Sequence, residues 1–240
     1  MSSSLLDDSG TDSTPRADRT ARTRWRRRRT PAVLFIGVLL LGTGLSCLGW
    51  VVYQLLGTNM VSNQVFQTER DTLRQKWDSE KARGPKVESE AIPGDAIALL
   101  RIPAFGPSYE IPVLSGTDLD ILSRGVGHYL GTADPGQLGN FAIAGHRVTH
   151  GQPFARLLEL NKGDRIVVET RDAIYTYVLD ASPRDLTVDD SETWVLDPVP
   201  GKPAANPTQA MITLTTCQDL FHSPDRSVGF GHLESTKDKP

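Results

Sequence analysis

Short apolar runs, broken by Gly, Pro and Asp, dominate the chain from about Pro93 onwards. Seven runs have the length and the β-branched content of strands; they cover residues 96–102, 109–114, 141–145, 165–170, 173–179, 211–216 and 227–233. Only residues 118–122 and 154–160 have helical patterns, the second opened by a proline at the first turn. Evenly spaced short strands are typical of an all-β barrel or sandwich.

One apolar run is of a different kind, because residues 31–53 contain no charged side chain. About 20 apolar residues are enough to cross the hydrocarbon core of a bilayer as a helix. Trp50 and Tyr53 near its end suit the membrane interface. We predict a transmembrane signal-anchor helix over 31–56. A cleaved signal peptide is the less favoured alternative, since bulky residues follow the apolar stretch where a small-residue cleavage site would lie.

Charge is distributed unevenly along the 240 residues. The first 30 contain eight arginines and four acidic residues, whereas the remainder carries 18 basic and 25 acidic side chains. Basic flanks stay on the cytoplasmic side of a membrane span, so we predict that 1–30 is a cytoplasmic tail and that the C-terminal body is extracellular. Nucleic-acid binding is the alternative reading of the arginines, but topology already explains them. The tail has too few apolar residues to form a core, which predicts disorder.

The segment between the span and the strands divides into two parts. Val61, Val65, Phe66, Leu73 and Trp77 recur at helical spacing in a charged background, which predicts a juxtamembrane helix. We interpret that helix as a spacer between membrane and domain. Gly and Pro in the following residues indicate a linker, so 57–92 is assigned to helix and linker, 93–235 to the folded domain, and 236–240 to a tail.

Two cysteines narrow the chemistry. Cys47 lies in the predicted span and Cys217 in the body, so no disulfide can join them, and an unpaired thiol on the oxidising side needs an explanation. A buried, inert cysteine is one explanation. However, strand alternation puts Thr213 and Thr215 on the face of Cys217, and an apolar core would not favour two hydroxyls there.

A second strand end supplies a partner for the thiol. Alternation puts Ala142, Ala144 and His146 on one face, so that two small side chains leave space before the imidazole. Arg226 follows Cys217 by nine residues, and a returning antiparallel strand would bring it back towards the thiol. A thiolate nucleophile, an imidazole acid and base and a guanidinium that holds an oxyanion together fit acyl transfer.

The motifs of the body resemble those of the sortases, membrane-anchored cysteine transpeptidases of Gram-positive bacteria. The strongest are Thr213-Leu214-Thr215-Thr216-Cys217 and Ala144-Gly145-His146-Arg147, supported by 98–103, 125–132 and 135–140. The resemblance implies a closed β-barrel of about seven or eight strands with short helices. His128-Tyr129-Leu130-Gly131-Thr132, and the short distance from the cysteine to Arg226, are similar to class E, the housekeeping type of actinobacteria.

The resemblance also implies a function. Cys217 would cleave a Leu-Ala-X-Thr-Gly or Leu-Pro-X-Thr-Gly sorting signal between Thr and Gly, with His146 as acid and base and Arg226 on the signal and its oxyanion. Tyr129, Thr215 and Thr216 would bind the substrate, and Tyr129 would favour Ala over Pro. An amine of the lipid II-type peptidoglycan precursor would then receive the protein.

The sequence also bears on cofactors, on partners and on alternative functions. We expect no cofactor and no metal, because no acidic run resembles a calcium loop, and no nucleic-acid partner. A cell-wall cysteine hydrolase, an L,D-transpeptidase and a non-catalytic wall-binding domain remain as alternatives. The two glycines after Arg226, Gly229 and Gly231, are expected to weaken its strand.

Overall fold

The computed structural model describes residues 31–81, 92–217 and 224–239, so the predicted disorder of 1–30 lies outside the described residues. In the described part the helices are α1 (Pro31–Val52), α2 (Thr58–Lys81) and α3 (Leu119–Leu122), with a π-helical turn at Tyr53–Gly57. The strands are β1 (Ala96–Arg101), β2 (Ile111–Ser115), β3 (Val126–His128), β4 (Gly139–Ala144), β5 (Arg165–Glu169), β6 (Ala173–Ala181), β7 (Thr187–Asp189), β8 (Ala210–Cys217) and β9 (Asp225–Asp238).

All the described strands belong to one sheet, which closes on itself. The strand order is β6-β5-β1-β2-β3-β4-β8-β9-β7, and β6 also pairs with β9. Eight of the described strands therefore form a barrel, while β7 extends the sheet beside the first residues of β9. Most neighbours are antiparallel, but β2 with β3 and β4 with β8 are parallel. The predicted closed all-β barrel is confirmed.

Apolar side chains of alternating strand positions fill the barrel. Phe141 and Ile143 of β4 and Ile212 and Leu214 of β8 are fully buried in one core cluster, together with Tyr177 of β6. Because successive strand side chains point to opposite faces, the polar residues between them face away from this core. The outer face of β4 and β8 therefore carries the polar positions.

Two strands and one helix differ from the sequence prediction. The pattern did not predict β3 and β7, since each has only three residues and is defined by pairing with its neighbours. The helix predicted over 154–160 is a series of turns with a 3-10 helix at Leu157–Glu159. Phe154, Leu157 and Leu160 are all buried at a spacing of three, and i to i+3 hydrogen bonds at 3.1 and 3.2 Å connect them. A repeat of three fits the 3-10 helix.

The strand after Arg226 is long in spite of its two glycines. β9 runs for 14 residues and pairs with β8 on one side and with β7 and then β6 on the other. A Cβ on Gly229 would lie 2.5 Å from the Pro183 ring, and one on Gly231 would lie 2.5 Å from the Val178 carbonyl oxygen. The expectation of a weakened strand was wrong, because these glycines let neighbouring backbone approach closely.

Helix α1 is long and apolar enough to cross a membrane, with 22 residues and a mean hydropathy of 2.2. It suggests single-pass membrane anchoring. The chain divides into two compact units between Leu45 and Ser46. The barrel and α2 both belong to the second unit.

Helix α2 is packed onto the barrel. Phe66, Leu73 and Trp77 are between 3% and 7% exposed. Phe66 joins the main core cluster, while Leu73 and Trp77 pack against Leu99 of β1. The juxtamembrane helix is therefore present, and it forms part of the folded unit instead of acting as a spacer.

The carboxylate of Glu110 is one of several charged groups that join α2 to the edge of the barrel. Glu110 lies 2.7 Å from Arg74 Nη2 and 2.8 Å from Arg101 Nε, and its backbone carbonyl accepts a hydrogen bond from Arg70 at 3.0 Å. Burial opposes ionisation of Glu110, but hydrogen bonds and charges from Arg101 and Arg74 outweigh it, and the pKa of the carboxyl is lowered. The ionised form is thus favoured by the folded state.

We predict that Glu110→Gln lowers the free energy of unfolding at pH 7 by about 1.5 to 3 kcal/mol, the range for a lost hydrogen bond to charged groups. A lowered folded-state pKa gives stability that is present above the unfolded value, about 4.3, and lost as pH falls through the folded value. The difference from wild type should therefore shrink progressively as pH falls below about 5. Urea unfolding of the full chain in detergent measures both effects.

Glu159→Gln is the matched control for this prediction. Glu159 is 60% exposed and pairs only with Arg156 among the ion pairs of the described residues. Its loss should cost less than about 0.5 kcal/mol. Equal losses for the two variants, or a Glu110→Gln effect that is constant with pH, would contradict the assigned role.

Candidate active site

The ends of β4 and β8 lie side by side. These strands are parallel neighbours in which Ala144 is level with Thr215, and Gly145 N donates to the Thr215 carbonyl at 3.1 Å. His146 follows Ala144 by two residues, and Cys217 follows Thr215 by two. Since parallel strands advance together, the backbone positions of His146 and Cys217 come to the same edge of the barrel.

The turn before His146 is held from both sides. A Cβ on Gly145 would lie 2.7 Å from the Phe154 ring, so only glycine leaves room for this core side chain. Thr216 is 2% exposed, and its hydroxyl donates to the Gly145 carbonyl at 2.8 Å. A buried hydroxyl of the cysteine-bearing strand thus fixes the residue that precedes the histidine. The substrate-binding role for Thr216 stays a prediction.

Arg226 lies directly across from the cysteine position. In the antiparallel pairing of β8 with β9, Cys217 and Arg226 are partners. The other side of β9 pairs Arg226 with Val188 of β7. The Arg226 side chain is 29% exposed, with Nη2 3.4 Å from an Asp190 carboxylate oxygen. Asp190 lies just after β7, and its position beside Arg226 depends on a strand of three residues that the sequence pattern did not predict.

Tyr129 and Thr215 contact each other. Their hydroxyls form a hydrogen bond at 3.3 Å, and Tyr129 N donates to the Ala142 carbonyl at 3.0 Å. Thr215 is buried on the outer face of β8, level with Ala144. The structure therefore brings together two residues that the sequence assigned to one groove, 86 positions apart in the chain.

Asn140 is a supporting residue that the sequence argument did not single out. Its side-chain amide nitrogen donates to the carbonyls of Val195 and Asp197 at 2.9 and 3.1 Å, while its side-chain oxygen accepts from the Thr213 hydroxyl at 2.6 Å. This network ties the segment after β7 to the outer face of β4 and β8. The sequence placed the Thr213 hydroxyl on the same face as Cys217. Its hydrogen-bond partner, Asn140, could be identified only from the tertiary structure.

The other described histidines differ from one another in their neighbours. His128 lies inside the barrel against Phe141, and burial lowers its pKa below the usual value against the opposing charge of Asp134. His232 pairs with Asp180 at 2.9 Å. His150 stacks on His146 with 4.7 Å between ring centroids. The remaining histidine, His222, lies outside the described residues.

In residues 31–81, 92–217 and 224–239, no group of three or more His, Cys, Asp or Glu side chains is arranged to hold a metal ion.

A closed barrel with a cysteine, a histidine and an arginine at adjoining strand ends defines a class of thiol-dependent acyl-transfer enzymes. The sortase domain family matches residues 100–234, more than half of the chain. The chain therefore belongs to the sortase family. The resemblance stated from the motifs is confirmed.

Individual relatives point to class E. Sortase SrtE1 of Streptomyces coelicolor is 37% identical over 224 residues, which cover 90% of this chain and 61% of that relative. Sortase SrtE2 of the same organism is 33% identical, with 90% of each chain covered. The solved structure of S. coelicolor Sortase E1 with a tripeptide in the active site is 36% identical, has a TM-score of 0.53, and covers 62% of this chain and 97% of that one.

We predict that Thr216→Val loosens the turn before His146, because the isosteric change removes the buried hydroxyl that donates to Gly145. The free energy of unfolding should fall by about 1 to 3 kcal/mol. Denaturant unfolding measures this loss. Thr216→Ser keeps the hydroxyl and should recover about half of it or more. A Thr216→Val variant as stable as the wild type would show that this hydrogen bond does not hold the turn.

Proposed function

We propose that this sortase is a cysteine transpeptidase that cleaves a sorting signal between Thr and Gly and transfers the protein to an amine of the peptidoglycan precursor. The observation that carries the proposal is the strand register. Ala144 is level with Thr215 across parallel strands, His146 and Cys217 each follow two residues later, and Cys217 is the cross-strand partner of Arg226. Three functional groups of acyl transfer are thus supplied by three neighbouring strand ends.

In the first half-reaction, the Cys217 thiolate attacks the carbonyl carbon of the signal's threonine. Arg226 holds the carbonyl oxygen, which becomes negatively charged in the tetrahedral intermediate. His146 donates its proton to the glycine nitrogen, so the peptide bond breaks and a thioester with Cys217 remains. The fragment that begins with glycine leaves with a neutral amine.

In the second half-reaction, an amine attacks the thioester. His146, now neutral, accepts a proton from that amine, and the thiolate departs as the new amide forms. The enzyme returns to its starting protonation state with no net consumption of an oxidant or a reductant. Water in place of the amine would give the free threonine acid.

Tyr129 supports an assignment of the substrate class. Its hydroxyl contacts Thr215 on the outer face of β8, the face that Cys217 shares by alternation. A peptide that approaches Cys217 along this face meets the Tyr129 hydroxyl, which favours an alanine position over the ring of a proline. That a solved relative holds a tripeptide in its active site supports a peptide substrate.

Helix α1 supports a membrane location. In this proposal the arginine-rich tail is cytoplasmic and the barrel is extracellular, following the positive-inside rule. The clients are secreted proteins with a C-terminal sorting signal, and the acceptor is the lipid-linked precursor of the wall. Both partners would reach the enzyme at the outer surface of the same membrane.

We expect the full chain in detergent to convert a Leu-Ala-X-Thr-Gly peptide and an amine into the amide, measured by mass spectrometry. Cys217→Ala and His146→Ala should each lower the rate by more than about 10³-fold, since both groups take part in bond making and breaking. Cys47→Ala is the matched control and should keep wild-type activity, because Cys47 lies exposed in α1. Release of only the free threonine acid would identify a hydrolase, and unchanged product in Cys217→Ala would refute the mechanism.

We expect the Ala-containing peptide to be turned over faster than its Pro counterpart. Tyr129→Phe should reduce that ratio about threefold to tenfold, which corresponds to the loss of one hydrogen bond. Thr215→Val removes the partner hydroxyl and tests the same contact from the other side. Initial rates with both peptides measure the ratio, and equal rates in the wild type would remove the class E substrate assignment.

A further inference from the structure

The loop that follows His146 adopts an unusual backbone. His150, Gly151 and Gln152 have φ values of 53, 78 and 52°. Glycine accepts this left-handed region freely, but side chains other than Asn, Asp and His rarely enter it. Such a conformation persists where surrounding contacts determine it, and it is often found beside functional sites.

One result of this turn is that two imidazole rings stack. The His146 and His150 centroids are 4.7 Å apart and the ring planes are inclined by 29°. His150 Nδ1 is also 2.9 Å from the Thr149 hydroxyl, which fixes its orientation. A flat ring held against the face of His146 restricts rotation of that imidazole, as aromatic pairs generally do.

The first turns of α2 hold the loop in place. Gly151 N donates to Asn59 Oδ1 at 2.8 Å, and Asn59 Nδ2 donates to the Val148 carbonyl at 3.4 Å. Phe66 covers Gly151 so closely that a Cβ there would lie 2.5 Å from the ring. Since Phe66 belongs to the core cluster, the loop is fixed between α2 and the barrel.

We infer that His150 is a positioning residue for His146, and that Asn59 of the juxtamembrane helix holds His150 in its stacked position. The inference rests on the proposed function, in which His146 transfers the protons. A proton donor must be aligned with the departing nitrogen, and small misplacements cost large factors in rate. Helix α2 thereby becomes part of the catalytic arrangement without touching the substrate.

The surroundings of His150 suit this role. Burial lowers the pKa of His150 below its ordinary value, so the ring is neutral at neutral pH. A neutral ring does not oppose the proton that His146 carries before it is transferred, whereas a second imidazolium at 4.7 Å would repel it. The Thr58 hydroxyl and Asn59 amide that face the loop from α2 are also uncharged.

Two substitutions at His150 distinguish the effect of its ring from the effect of its backbone conformation. His150→Asn suits the left-handed conformation but has no ring, and it should lower kcat about tenfold or more with KM for the peptide nearly unchanged. His150→Phe keeps a flat ring but strains the left-handed backbone, so it should lower the unfolding temperature while keeping kcat within about threefold of wild type. Steady-state transpeptidation by the full chain in detergent gives both constants, and thermal unfolding monitors the fold.

Equal kcat values for the Asn and Phe variants would overturn the stacking role, as would a wild-type kcat for His150→Asn. If both variants are merely unstable, their kcat losses will follow their unfolding temperatures, which also counts against positioning. Retained activity in Cys217→Ala or His146→Ala would instead refute the proposed function itself, and the inference would fall with it. The two failures are therefore distinguishable.

Asn59 gives a second, independent test. Asn59→Ala removes both side-chain hydrogen bonds to the loop and should lower kcat about threefold to tenfold, while Gln64→Ala, exposed on the same helix, should have no effect. Combining Asn59→Ala with His150→Asn should cost no more than His150→Asn alone, because Asn59 acts through that ring. Additive losses would show that Asn59 does not work through His150.

Discussion

The parallel pairing of β4 with β8 is the constraint on which the candidate site depends. A slip of one residue in this register would turn every side chain of one strand to the opposite face. Two buried hydroxyls prevent such a slip, since Thr213 donates to Asn140 on the outer face and Thr216 donates to Gly145 on the inner face. The apolar residues between them fill the barrel. The same hydrogen bonds that hold the strands in register thus fix the positions of His146 and Cys217 at the edge of the barrel.

Strand β9 extends this arrangement to the third group. It pairs with β8 along its first half and with β6 along its second, so it both closes the barrel and lies beside the cysteine position. Gly229 and Gly231 give room to Pro183 and to the Val178 carbonyl. Side chains at those points would push the strand away. Glycine has a low strand propensity, but these two glycines keep β9 in register. They thereby keep Arg226 opposite Cys217.

Helix α2 connects the region nearest the membrane span to the same site. Its apolar side packs on the barrel through Phe66, and its polar side is bound through the arginines around Glu110. Residues of its first turns hold the loop that contains His150. Core packing and ion pairs thus hold this helix on the barrel, while hydrogen bonds from its first turns hold the loop that carries the stacked His150. The helix pattern in the sequence indicated none of these contacts, because a helical period does not say what the apolar side meets.

The sequence alone determined the all-β class and the apolar span, and it predicted Cys217, His146 and Arg226 as the catalytic residues, because alternation, turn residues and motif order are local properties of the chain. It also assigned Tyr129 and Thr215 to one groove. Only the tertiary structure decided the three-residue strands β3 and β7, the 3-10 turn after Phe154, the position of Asp190 beside Arg226, and the stacking of His150 on His146. These features depend on contacts between segments far apart in the chain, and no pattern within one segment encodes its distant partner.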